Sequence, residues 1–185
     1  SAMPATAKAL FALLMCVILT TAFAMIAGFF MARFKMHPFI STMANMLIIF
    51  GLVTYATKGV SFGAIDPNIP KMFIPQAGAV PTIILWAVAA IIIVWFVWNK
   101  TKFGKYLYAV GGNQEAAAVS GISVFKVTLG AFMIAGCLYG FGAWLECMRM
   151  VGSGSAAYGQ GWDMDAIAAC VVGGVSFTGG IGKIS

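Results

Sequence analysis

Long windows without a single charged side chain constrain this fold more than any other feature of the sequence. Ala9–Ala32 runs for 24 residues, Met36–Thr57 for 22, Met72–Asn99 for 28 and Val127–Leu145 for 19, all uncharged. About 20 apolar residues in helical conformation cross the hydrocarbon core of a bilayer, and a helix satisfies its own backbone hydrogen bonds there. The expected fold is therefore all-α, a polytopic bundle of membrane-spanning helices. Composition agrees, with 62% apolar and only 9% charged side chains among 185 residues. A fifth uncharged stretch, Ala166–Gly182, has 17 residues and is interrupted by Gly173-Gly174 and Gly179-Gly180. A short, broken or re-entrant helix is expected there, because irregular backbone at membrane depth survives only against protein or a water-filled cavity. No cleavable signal peptide is expected, since the first window is too long for one and has no basic flank beyond Lys8.

The net charge of +6 raises the question of nucleic acid, but the charges sit at the ends of the apolar windows, where they record membrane orientation. If the first span runs outside to inside, the inner side receives Arg33, Lys35, Lys100, Lys102, Lys105, Lys126 and Lys183, and the outer side keeps Lys8, Lys58, Lys71 and Arg149. The inner side then holds the largest cluster, so the loop 99–126 is expected to be cytoplasmic. Cys16, Cys137, Cys147 and Cys170 have no ligand spacing and a single His accompanies them, so packing is expected and metal is not.

Polar residues inside the windows are the first functional candidates. Ser41, Thr42 and Asn45 share part of one helical face, and can either bond a neighbouring helix or line a pathway. Lys58–Pro81, with its glycines and prolines, reads as a loop through which neither helix nor strand runs, and Thr82–Trp98 as the third span. Gly136 and Gly140 form a small-xxx-small pattern that permits close helix approach, and Glu146 and Arg149 stand three apart, where they can pair. Asp163 and Asp165 point in different directions on a helix. Asp163 is expected to cap that helix, with Asp165 in its first turn.

The loop 99–126 contains a short helix with a written start and stop. Asn113 can cap it, Glu115 favours its positive end, and Gly121 can adopt the left-handed conformation that closes it. Mostly Ala lies between them, a smooth surface suited to a partner's groove. The chain has no GxxxxGK[ST] phosphate loop, no GxSxG elbow and no acid/His relay in its spans. Uphill movement of a solute would therefore draw its energy from another subunit, and no enzymatic activity or cofactor is expected of this chain.

The run Trp98–Ile122, with Gly112-Asn113-Gln-Glu115-Ala116-Ala117-Ala-Val-Ser120-Gly121 at its centre, resembles the cytoplasmic loop of the ribose/galactose-type permeases of bacterial ABC sugar importers. Asp165–Gly180 and His37-Pro38-Phe39-Ile40 fit the same pattern, and the resemblance covers essentially the whole chain. It implies a homodimeric, multi-pass inner-membrane subunit that passes a monosaccharide, galactose or a galactoside. Its partners would be a periplasmic sugar-binding protein and a cytoplasmic ATPase that uses the ATP. It also implies that Gly112, Asn113, Glu115, Ala116, Ala117, Ser120 and Gly121 enter the ATPase. Phe39, Thr42, Asn45 and Asp165 are the candidates for the sugar pathway. Permeases of that family are longer, so 1–185 is expected to be the middle portion of a single transmembrane domain. A passive channel and a purely structural membrane subunit are the competing readings, and the docking helix favours the importer over both.

Overall fold

The structure is a computed structural model and describes residues 5–61, 68–73, 76–77, 80–150, 154–155, 157–176 and 179–182. Four helices among them are long and apolar enough to cross a membrane: α1 (Ala5–Phe34), α2 (Pro38–Thr57), α4 (Ile83–Lys100) and α7 (Val124–Met150). At 1.5 Å per residue they run from about 27 to about 45 Å, enough for a hydrocarbon core of about 30 Å with little or no thinning. Sequence explains their ends. Pro38 occupies the first helical position of α2, where its missing N–H costs nothing, and His37 before it is extended. The same helix stops where Lys58 turns left-handed at φ 53° and Gly59 follows at φ 70°. The Gly59 N–H there donates to the Thr54 carbonyl.

Two expectations need correction. The loop Lys58–Pro81 holds a six-residue helix, α3 (Asn68–Phe73), and a minimal antiparallel ladder of β1 (Gln76–Ala77) with β2 (Val80–Pro81). Pro70 does not block α3 because it falls in the first turn, whose N–H groups have no partner within the helix, and Pro81 ends a two-residue edge strand. Second, α8 (Trp162–Val172) is capped by Gly161 at φ 89°, not by Asp163. Met164 and Asp165 donate to the Gly161 carbonyl, so Asp163 and Asp165 both lie in the first turn. The helix ends at Gly173, and Gly174, Gly179 and Gly180 all have positive φ. Eleven residues span about 16 Å. The fifth segment is thus short and broken, as its glycines predict. Gly63, Pro67, Pro75, Gly78 and Lys183 lie outside the described residues.

The described residues group into two compact units, 1–90 with 132–158 and 91–131 with 159–185. In the first, α1 is held by small residues. Ideal Cβ atoms on Gly136 and Gly140 would lie 2.6 Å from Thr21 Cα and 2.5 Å from Val17 Cα, so only glycine lets α7 come this close to α1. Thr20 Oγ1 donates across the same contact to the Gly136 carbonyl (2.9 Å). Near the helix ends Trp144 is 3% exposed, donates to the Ala9 carbonyl (3.1 Å), and packs with Phe73 and Phe141. Towards the C-terminal half of α1, Ser41 Oγ donates to the Ala27 carbonyl (3.1 Å) and Asn45 Nδ2 to the Phe23 carbonyl (3.3 Å). The expected Glu146–Arg149 ion pair forms, and Tyr158 joins it by donating to Glu146 and accepting from Arg149. Cys16 is half-buried, whereas Cys137, Cys147 and Cys170 are exposed in this chain, with the Cys137 Sγ 3.4 Å from Thr21 Oγ1 of α1.

The second unit is built on α5 (Lys102–Gly112) and α6 (Gln114–Val119). Thr101 caps α5 by accepting from the Gly104 N–H (3.3 Å), and Gly104 lies flat against the Trp98 carbonyl. Phe103, Leu107 and Val110 recur on one helical face and bury against Ala117, Ile122, Val124 and Val127.

Candidate functional site

Asn113 is the pivot of the loop. Its N–H donates to the Ala109 carbonyl and ends α5, while its Oδ1 accepts from Glu115 N–H (2.9 Å) and Ala116 N–H (3.0 Å) and starts α6. One side chain thus satisfies two of the amides that a helix start leaves orphaned. The stop is equally explicit. Gly121 adopts φ 81°, its N–H donates to the Ala118 carbonyl and that of Ile122 to the Ala117 carbonyl, both at 3.0 Å. This is the paired pattern of a Schellman motif, and the side chain of Ile122 packs with Ala117 as such motifs favour. Ser120 Oγ donates back to the Ala116 carbonyl (2.8 Å).

Of the seven residues expected to couple, Gly112, Asn113, Glu115, Ala116, Ser120 and Gly121 are exposed. Ala117 is not: it is 4% exposed and belongs to the small core beneath the helix. The outer face is small and smooth, and Val119 stands out from it at 91% exposure. Sequence reasoning passed over Val119, and also missed α5, although Phe103, Leu107 and Val110 carry the helical spacing that signals it.

The pathway candidates divide differently. Thr42 is exposed, and its hydroxyl donates within α2 to the carbonyls of Pro38 (3.0 Å) and Phe39 (3.1 Å). Phe39 is exposed on the same first turn. The half-buried Asn45 spends its amide N–H on α1, as does the buried Ser41 its hydroxyl, so both serve interhelical bonding. Asp165 is exposed in the first turn of α8. An apolar cavity of about 240 Å³ opens further along α8, lined by Ala166, Ile167, Cys170, Val171, Val175 and Ser176.

Comparison with known proteins adds to this geometry. The chain is 49% identical over 190 residues to the galactose/methyl galactoside import permease protein MglC of Treponema pallidum, covering 98% of this chain and 35% of that protein. It is 41% identical to the protein of the same name from Haemophilus influenzae, covering 86% of this chain and 49% of the relative. The L-arabinose transport system permease protein AraH of Escherichia coli matches at 35% identity, over 85% of this chain and 48% of its own length. The chain therefore spans about a third to a half of the length of the curated relatives it matches. No solved structure matches. The model of the family described as "Branched-chain amino acid transport system / permease component" matches residues 2–182. With that match and its four membrane-crossing helices, the chain belongs to this permease family and is a multi-pass protein of the bacterial inner membrane.

Proposed function

We propose that the chain is part of the membrane-spanning subunit of a bacterial ABC importer that passes galactose or methyl galactoside across the inner membrane. A separate cytoplasmic ATPase docks on the outer face of Asn113–Gly121 and supplies the energy, and a periplasmic sugar-binding protein delivers the solute. The subunit works as a homodimer in the lipid bilayer and hydrolyses nothing itself. The observation that carries this reading is the exposed face of α6, with Asn113 and Gly121 fixing its two ends and Val119 projecting from it. A passive pore has no use for such an element, and an apolar side chain held out at 91% exposure suits burial by a partner. The sugar is taken from the relatives named for galactose, and arabinose is the second reading, supported by the likeness to the arabinose permease. Phe39, Thr42 and Asp165 are proposed to line the pathway, with Thr42 and Asp165 offering exposed polar groups to a sugar.

Glu115→Lys combined with Ala116→Trp, in the full-length permease, tests the docking. Both side chains are exposed and neither packs in the core, so membrane insertion is expected to persist. Galactose uptake and co-purification of the ATPase are both expected to be lost. Unchanged ATP-dependent uptake would sink the reading, and solute flux through vesicles lacking any ATPase would favour the channel. Competition of labelled galactose by arabinose distinguishes the two sugars.

A further inference from the structure

At the end of α5, two stretches of backbone meet with no side chain between them. An ideal Cβ on Gly111 would lie 2.6 Å from the Gly180 nitrogen, one on Gly179 2.7 Å from the Gly111 carbonyl oxygen, and one on Gly180 2.7 Å from Gly112 Cα. Tyr108, one turn back on α5, donates its hydroxyl hydrogen to the Gly182 carbonyl (2.7 Å). The turn that α5 meets is itself tied. Gly179 N–H donates to the Ser176 carbonyl and Ser176 N–H to the Ile181 carbonyl, and Gly179 and Gly180 have φ of 88° and 71°. Only glycine holds those angles without strain. Gly111, Gly179 and Gly180 therefore perform one task, the seating of the turn after α8 directly on the end of α5.

We infer that Gly111, Gly179 and Gly180, with Tyr108, are positioning residues that join the coupling helix to the broken α8 segment. The inference rests on the docking role proposed for α6. Asn113 closes α5 and opens α6, so displacement of α6 moves the end of α5. Backbone packed on backbone has no rotamers through which to relax, and close-packed contacts pass displacement on rather than absorb it. The turn after α8 then moves with the end of α5, and the hydrogen bond from Tyr108 keeps the two from sliding.

The test uses the full-length permease with its ATPase and binding protein in proteoliposomes, and reads labelled galactose accumulated per ATP hydrolysed. Gly111→Ala forces the two backbones apart, and the ratio is expected to fall about tenfold while ATPase co-purification stays unchanged. Tyr108→Phe keeps the ring and removes one hydrogen bond, with an expected fall of about fivefold. Gly51→Ala is the control: it makes the same chemical change in α2, where a Cβ meets nothing within 4 Å, and leaves the ratio unaltered. An unaltered ratio in both Gly111→Ala and Tyr108→Phe overturns the joint. So does loss of uptake in strict proportion to loss of bound ATPase, which would mark the glycines as merely structural. Should Gly111→Ala fail to insert, Tyr108→Phe decides alone. An unsubstituted permease that retains no ATPase would instead defeat the docking reading, and the joint with it.

Discussion

Asn113→Ala is the most direct test of how the α6 helix is specified. The substitution removes Oδ1 and leaves the Glu115 and Ala116 amides to water. Loss of an N-cap typically costs about 1 kcal/mol, which is roughly a fivefold change in the balance between formed and frayed helix. A six-residue helix has few hydrogen bonds of its own to offset that. Deuterium uptake of the 114–121 peptide, measured by mass spectrometry with the protein in lipid nanodiscs, is expected to quicken about fivefold. Asn113→Asp and Asn113→Ser, which restore a side-chain acceptor at the same place, are expected to stay within about twofold of the unsubstituted protein. Gly121→Ala attacks the other end, forcing an L residue to φ 81° at a cost of about 1–2 kcal/mol, and is expected to quicken exchange at least as much. Equal exchange in all four variants would refute the argument, because α6 would then be held by something other than its two ends.

Other consequences follow from single contacts. Gly140→Ala places a Cβ 2.5 Å from both Val17 Cα and Thr20 Oγ1, and is expected to destabilise the fold by about 1–3 kcal/mol in detergent unfolding. Gly142→Ala, two residues on and facing open space, is expected to be neutral or slightly stabilising in the same assay. The buried Thr54 hydroxyl has no hydrogen-bond partner among the described residues, so Thr54→Val is expected to raise the unfolding midpoint. The Glu146 carboxylate, accepting the Tyr158 hydroxyl, pushes that tyrosine's ionisation above its ordinary value. The bond is therefore intact at neutral pH and is lost only as alkali takes the pH through the raised value. Glu146→Gln is expected to bring the Tyr158 midpoint down in an ultraviolet titration, and an unmoved midpoint would deny the contact.

Much of this architecture was legible because membrane helices advertise themselves by what they lack. The uncharged windows located all four long helices, and the doublets Gly173-Gly174 and Gly179-Gly180 announced the break in the fifth segment. The ends of α6 were equally readable, since Asn113 and Gly121 act on atoms only a few residues away. The misses have a common cause. α5 is part polar and only its Phe103–Leu107–Val110 face packs, so a scan for long apolar runs passes over it. Pro70 looked prohibitive because the start of α3 could not be located in advance. Ala117 looked like its exposed neighbours until the fold turned it inward. Nothing local predicts that Gly111 meets Gly180, a partner nearly seventy residues away in sequence.

The closeness of α1 and α7 has a consequence for how this chain tolerates change. In a water-soluble protein the bulkiest buried side chains are the least replaceable. Here Leu10, Phe11, Leu14 and Ile18 are exposed in this chain and can exchange for other oily groups without disturbing this pairing, whereas Gly136 and Gly140 can be exchanged for nothing. A saturation scan would thus read as a photographic negative of a globular protein's, its intolerant sites being those with the least to remove.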